Sequence, residues 1–456
     1  MAINPQSWRH AFSVYTRPVV LGMIFLGFSA GLPFILVSST LSAWLADEAV
    51  SLSVIGYFSW VGVAYSVKFL WAPVVDRLPL PGLTALLGKR RSWMLLAQLG
   101  IAGGLWAMSQ TPVASGLQQI ALLAIWVAFC SATQDIVIDA YRIEVVAVEF
   151  QGAMAAMYVF GYRLSLLMAG AGAFYLAEFM SWSLAYQVMA AAMLVGMVAT
   201  LIIDEPQHLA NQSAQVAEEQ LEQSFKLVND SGLIRRLLKW LLDAVVGPFV
   251  EFFQRNGRNG LLILALIALY KMSDIAMGVM ANPFYLDLGF SKKEIADVTK
   301  LFGFFMTILG TSLGGVFVVR YGILRSLLLG SIIVALTNLL FALLAVVKPS
   351  LYLLALVVSA DNLCGGIAAA VFIAYLSSLT NSAYTATQYA LFSSLMTLPA
   401  KLIGGFSGWI VVIFGYDVFF VYAALMGLPA VVLVILVMRI QPVRLQAARE
   451  HESVAG

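Results

Sequence analysis

Several side chains able to carry charge sit inside stretches that otherwise read as hydrocarbon. Asp135 and Asp139 lie in "SATQDIVIDAYR", Arg163 in "VFGYRLSLL", Lys271 and Asp274 in "LYKMSD", and Asp361 is followed by Asn362. Lys68, Lys300 and Lys401 occupy similar settings. Burial raises the pKa of a carboxylate and a neighbouring cation lowers it, so a carboxylate facing such a cation can bind and release a proton as its surroundings change. The three histidines, His10, His208 and His451, fall in polar segments. Proton chemistry inside the apolar stretches therefore belongs to carboxylates, and no imidazole is placed there to hold a metal. Cys130 and Cys364 are isolated in apolar runs and form no CxxC pair. Neither an HExxH nor a GxSxG pattern is present, so the residues do not suggest an enzyme, and they call for no cofactor. The amides of Gln134 and Gln388 add neutral groups able to bind a solute.

The elements that position these residues follow from composition. Of 456 residues, 61% are hydrophobic and 11% charged, and the mean hydropathy is +0.91. A soluble domain carries about 25% charge, so this chain is an integral membrane protein. Its net charge of +2 provides no basic field for nucleic acid. A bilayer core needs roughly 20 apolar residues of helix. Twelve stretches qualify as spans: 18–45, 53–75, 93–109, 113–145, 151–178, 182–203, 260–286, 292–319, 322–347, 350–379, 384–413 and 416–438. The first follows a polar leader with no small-residue cleavage site and is read as a retained helix. The expected architecture is all-α, with a six-helix bundle over 1–203, a cytoplasmic linker over 204–259, and a second six-helix bundle with a cytoplasmic tail over 260–456.

Twelve spans put both termini on one side. That side carries Arg9, Arg17, Arg77, Lys89, Arg90, Arg91, Arg142, Arg320, Arg325, Arg439, Arg444 and Arg449, against Lys292, Lys293 and Lys348 on the other. The excess places both termini in the cytoplasm. In the linker, Arg235, Arg236, Lys239 and Asp243 share one helical face, which suits a basic amphipathic helix over 231–255 lying on the bilayer.

Depth along a helix suggests partners. Spans 4 and 5 are antiparallel neighbours, and counting at about 1.5 Å per residue puts Asp135 and Arg163 at one level near the midplane, as an expected pair. Asp139 and Arg142, three residues apart, can pair with each other or with the loop at Asp76 to Arg91. Lys271 and Asp274 can neutralise each other or serve a cavity, with Asp361 at similar depth. The alternative for all of them is a set of satisfied ion pairs that ties helices together.

The loop after span 2 reads "WAPVVDRLPLPGLTALLGKRRSW" and that after span 8 "GTSLGGVFVVRYGILRSL". Both resemble the G-x-x-x-D-R-x-G-R-R loop motif of the major facilitator superfamily. Asp76, Arg77, Arg90 and Arg91 represent it in the first copy, and Arg320 and Arg325 around Gly322 in the second. The first copy contains an insertion and the second lacks the acidic residue. The resemblance implies gating at these loops, together with Arg142, and a fold of two pseudo-symmetric six-helix halves. Spans 1, 4, 7 and 10 would then line a cavity and spans 3, 6, 9 and 12 would face lipid, which agrees with the absence of charge from the interiors of the latter four.

Gln134-Asp135 followed by Asp139, together with "GFSAGLPFIL", "VKFLWAPVVDR" and "LYKMSD", resembles more closely the AmpG muropeptide permeases of Gram-negative bacteria. This resemblance implies a proton-coupled importer in the inner membrane, and the chain is expected to act as a monomer. Its substrate would be an amphiphilic sugar-peptide, N-acetylglucosaminyl-1,6-anhydro-N-acetylmuramyl peptide, taken up for cell-wall recycling and, in some bacteria, β-lactamase induction. Acetyl-CoA transporters share a similar pattern and give the alternative substrate. The residues expected to couple protons or bind substrate are Gln134, Asp135, Asp139, Arg163, Lys271, Asp274, Asp361, Asn362 and Gln388.

Overall fold

The computed structural model describes residues 13–50, 54, 58–206, 247–291, 294–295, 297–381, 384–404 and 407–440. The basic face at Arg235, Arg236, Lys239 and Asp243 lies outside them, as do the three histidines and the side chains of Lys300 and Lys401. Every regular element among the described residues is helical. Among the described residues nine helices are long and apolar enough to cross a membrane: Pro18–Asp47, Val113–Val145, Val148–Phe179, Trp182–Ile202, Asn259–Asp287, Asp297–Tyr321, Ile323–Val346, Leu351–Leu379 and Ser407–Ile440. They correspond to spans 1, 4 to 10, and 12.

The other three expected spans are helical but polar or broken. Span 2 is a series of short pieces, Ser59–Gly62, Val63–Val67, Lys68–Leu70 and Ala72–Arg77. Span 3, Lys89–Gln110, opens on three consecutive basic residues, and span 11, Thr385–Gly404, is rich in hydroxyls. Each departure from apolar regularity removes hydrophobic drive, so packing against neighbours has to hold these segments.

Two breaks fall on lysines. Lys68 opens the tight 3-10 turn of span 2. Lys271, at φ −96° and ψ 0°, separates Asn259–Tyr270 from Met272–Asp287 in span 7. Helix ends expose unpaired peptide groups inside the membrane, and such ends are where side-chain or substrate charges are accommodated. At Lys271 the arrangement suits the helix dipole: the lysine caps the C-terminal end of the first segment, and Asp274 sits in the first turn of the second.

The chain forms two compact units. One comprises residues 13–250 and 379–391, the other 1–12, 251–378 and 392–456. Within the first, spans 1 and 5 touch through backbone: a Cβ on Gly27 would collide with the Tyr158 carbonyl oxygen, and one on Gly161 with that of Ile24. Within the second, spans 8 and 10 meet in the same way, Gly310 against the Leu363 carbonyl and Gly366 against that of Thr307. Small residues permit this approach, and dispersion between the close-packed backbones replaces the hydrophobic effect that lipid cannot supply.

Candidate functional site

Span 4 presents Asp135 and Asp139 one turn apart on one face. Asp139 is well compensated. Its Oδ2 lies 3.8 Å from Lys68 Nζ and its Oδ1 3.4 Å from Arg142 Nη2. Arg142 is 1% exposed and fixed further. Its Nη1 donates to Gln151 Oε1 at 3.0 Å, Gln151 Nε2 returns a bond to the Arg142 carbonyl at 2.9 Å, and the guanidinium lies over the Tyr389 ring at 5.2 Å.

Asp135 is in a different situation. It feels the charges of Lys68 and Asp139, and the Tyr158 side chain approaches it as a hydrogen-bonding neighbour. No cation pairs with it within 4.0 Å among the described residues. Its Oδ1 is buried with no protein hydrogen-bond partner. The expected pair with Arg163 is absent, and Arg163 is exposed. The turn between the two helices is short, with span 4 running to Val145 and span 5 resuming at Val148. Ten residues back from Val145 is Asp135 and ten forward from Val148 is Tyr158, so the tyrosine is level with the aspartate. Arg163 lies five residues beyond Tyr158, about 7.5 Å further along the axis and about 140° around it.

At the far end of span 4 a second charge cluster forms. Arg90 Nη2 is 2.9 Å from Asp76 Oδ1 and 2.6 Å from Glu144 Oε1. Asp76 also accepts the backbone N–H groups of Ala386 at 3.2 Å and Thr387 at 2.7 Å, and the Thr387 hydroxyl at 2.8 Å. It thus neutralises the N-terminal turn of span 11, where unpaired N–H groups and the helix dipole favour an anion. Glu205 does the same for span 3, accepting from the backbone of Arg90 at 2.7 Å and Arg91 at 3.0 Å. The Arg91 side chain donates to the carbonyls of Thr200 and Leu201. Arg77 lies over the Tyr384 ring at 5.6 Å.

In the other unit Lys271 Nζ and Asp274 Oδ2 are 2.7 Å apart. They line a small pocket with Gly330 and Ser331 of span 9 and Gly427 of the last span. Half-buried Asp361 feels both charges. Each unit therefore carries a lysine at a broken helix, an aspartate paired to it, and a second aspartate nearby without an ion pair of its own among the described residues. Among the same residues no group of three metal-ligating side chains converges.

The family model of the Major Facilitator Superfamily matches residues 19–399 and 261–455. The anhydromuropeptide permease of Escherichia coli strain K12 is 35% identical over 424 residues, covering 92% of this chain and 80% of that protein. The chain belongs to the AmpG family of the Major Facilitator Superfamily. A putative transporter AmpG 4 of Rickettsia conorii is 33% identical over 407 residues, 89% of this chain and 93% of the relative. Two solved structures share the fold. The proton:xylose symporter XylE bound to 6-bromo-6-deoxy-D-glucose gives a TM-score of 0.62 at 13% identity, over 93% of this chain and 95% of that one. The human organic anion transporter MFSD10 gives 0.58 at 14%, over 94% and 100%. The protein is thus a multi-pass membrane transporter and not an enzyme.

In this AmpG-family transporter the residues singled out from the sequence separate into groups. Asp135 and Asp139 come together with Lys68 and Arg142, and Asp76 with Arg90. Lys271, Asp274 and Asp361 form their own group. Gln134 turns toward span 1, its Nε2 3.4 Å from Ser29 Oγ. Gln388 does not join the carboxylates: its Oε1 accepts from Asn381 N at 2.7 Å and its Nε2 donates to the Pro248 carbonyl at 3.0 Å. Asn362 bridges spans 8 and 10, accepting from the Thr307 hydroxyl at 3.0 Å. Arg320 lies over the Tyr321 ring at 5.5 Å, and Arg325 is exposed just beyond Gly322, whose φ of +81° makes the turn. Sequence reasoning missed Glu144 and Glu205, acidic residues in basic surroundings near span ends. It also missed Tyr158, for which only the turn length gives a signal.

Proposed function

We propose that this transporter carries anhydromuropeptides, N-acetylglucosaminyl-1,6-anhydro-N-acetylmuramyl peptides, across the inner membrane of a Gram-negative bacterium into the cytoplasm, driven by protons. The substrate assignment is supported by the identity to the Escherichia coli permease over most of both chains. The basic excess on one set of loops supports cytoplasmic termini. The two six-span halves, 1–203 and 260–456, joined by 204–259, alternate access as a monomer.

The observation that carries proton coupling is Asp135, a carboxylate between a lysine and a compensated aspartate, with one oxygen left without a partner. Asp139 has two cations within 4 Å, whereas Asp135 shares one of them at longer range. Protonation of Asp135 removes a buried charge and frees Lys68 for Asp139 alone, and deprotonation restores the competition. That competition lets a proton bias the conformational equilibrium. The Asp76 and Arg90 cluster, which includes the start of span 11, is the gating contact on this reading.

The test is uptake by purified protein in proteoliposomes with an imposed proton gradient. Accumulation of labelled anhydromuropeptide above its external concentration supports the assignment. Gradient-driven uptake of acetyl-CoA with none of muropeptide replaces it with the alternative substrate.

A further inference from the structure

Beside Asp135 stands an aromatic wall contributed by three helices. Phe34 of span 1 meets Tyr65 of span 2 at 5.4 Å between ring centroids and Tyr162 of span 5 at 6.4 Å, and Tyr162 continues to Tyr158 at 6.0 Å. The wall is not a sealed core. Phe34 is 42% exposed, and the three tyrosines are each partly exposed. Beside it the Tyr65 and Ser131 side chains are hydrogen-bonding neighbours, and Asp135 Oδ1 is buried with no protein partner.

Arg163 follows Tyr162 directly. It lies fifteen residues from Val148 and sixteen from Phe179, the middle of its span. It is exposed and has no carboxylate within 4.0 Å among the described residues. A mid-span guanidinium facing lipid costs several kcal/mol, so this side of span 5 faces a polar interior, and its counter-charge has to come from elsewhere. Aromatic faces edged by polar atoms and one cation are the lining expected of a site for an amphiphilic solute bearing an anion.

We propose that the faces of Phe34, Tyr65, Tyr158 and Tyr162 bind the sugar rings of the substrate and that Arg163 pairs with one of its carboxylates. The subsite lies wholly on the unit that holds spans 1 to 6. Its occupant rests on the muropeptide reading above. The role given to Arg163 replaces that of partner to Asp135.

The experiment is calorimetric titration of the full-length protein in detergent with two probes. One is the anhydro-disaccharide carrying a tripeptide, which is anionic, and the other is the neutral disaccharide of N-acetylglucosamine. Arg163→Gln should weaken the anionic probe by about ten- to a hundredfold, the loss of one charge-assisted pair, and leave the neutral probe unchanged. Arg163→Lys should restore part of the loss. Phe34→Ala, at an exposed position, should weaken both probes. If the unmodified protein binds the anionic probe and Arg163→Gln binds it equally well, the subsite is overturned while the muropeptide reading stands. If the unmodified protein does not bind the anionic probe, the muropeptide reading falls and this occupant falls with it.

Discussion

Lys68 Nζ lies 3.8 Å from Asp139 Oδ2, and this contact places the cation of span 2 with the aspartate nearer the end of span 4 and not with Asp135 one turn away. Asp139 therefore holds two cations and Asp135 none within 4 Å among the described residues. Arg142, which is more deeply buried, is the stronger structural partner. Arg142→Ala should destabilise the protein by about 3–5 kcal/mol, because it leaves Asp139 with the longer Lys68 contact alone and also empties the bonds to Gln151. Lys68→Met should cost less, since Arg142 remains. Thermal unfolding of both variants in one detergent orders them. A larger loss for Lys68→Met would reverse the assignment.

Arg163 and Asp135 should behave independently. A double-substitution cycle of Arg163→Ala and Asp135→Asn, read by thermal stability, should be additive within about 0.5 kcal/mol, as for residues that do not pair with each other. Coupling above about 1 kcal/mol would return the pair expected from depth counting.

Asp76→Asn keeps the shape and removes the charge that faces the backbone of Ala386 and Thr387 and the Arg90 guanidinium. A neutral acceptor at a helix N-terminus is weaker than a carboxylate. The amides of Ala386 and Thr387 should exchange hydrogen for deuterium at least about tenfold faster, equivalent to about 1.4 kcal/mol of lost protection. Unchanged exchange would show that span 11 is anchored there by other contacts.

Much of this was legible in the sequence, and the limits have physical reasons. Nine spans were visible because hydropathy over twenty residues depends on composition alone. Their partners were not, because a pair across two helices depends on where the turn begins. The α-helix of span 5 does begin at Gln151, but a 3-10 turn over Val148–Phe150 precedes it and adds length that depth counting from 151 left out, enough to choose Arg163 over Tyr158 as the neighbour of Asp135. The local pairs, Asp139 with Arg142 and Lys271 with Asp274, follow from helical spacing alone. Asp76 and Thr387 are 311 positions apart, and nothing local in either segment announces their contact. Gln388 looked available because its amide is neutral and near serines, but both ends of that amide are used by backbone.

The central claim is that Asp135 carries the coupled proton, and Asp135→Asn in proteoliposomes tests it most directly. The amide keeps the shape of the carboxylate and cannot titrate. The account predicts that this variant still exchanges labelled anhydromuropeptide across the membrane at equilibrium but no longer accumulates it when a proton gradient is imposed, and that its exchange no longer changes with pH. Accumulation by Asp135→Asn under a proton gradient alone would contradict the account and move the coupling to Asp361 or Asp274.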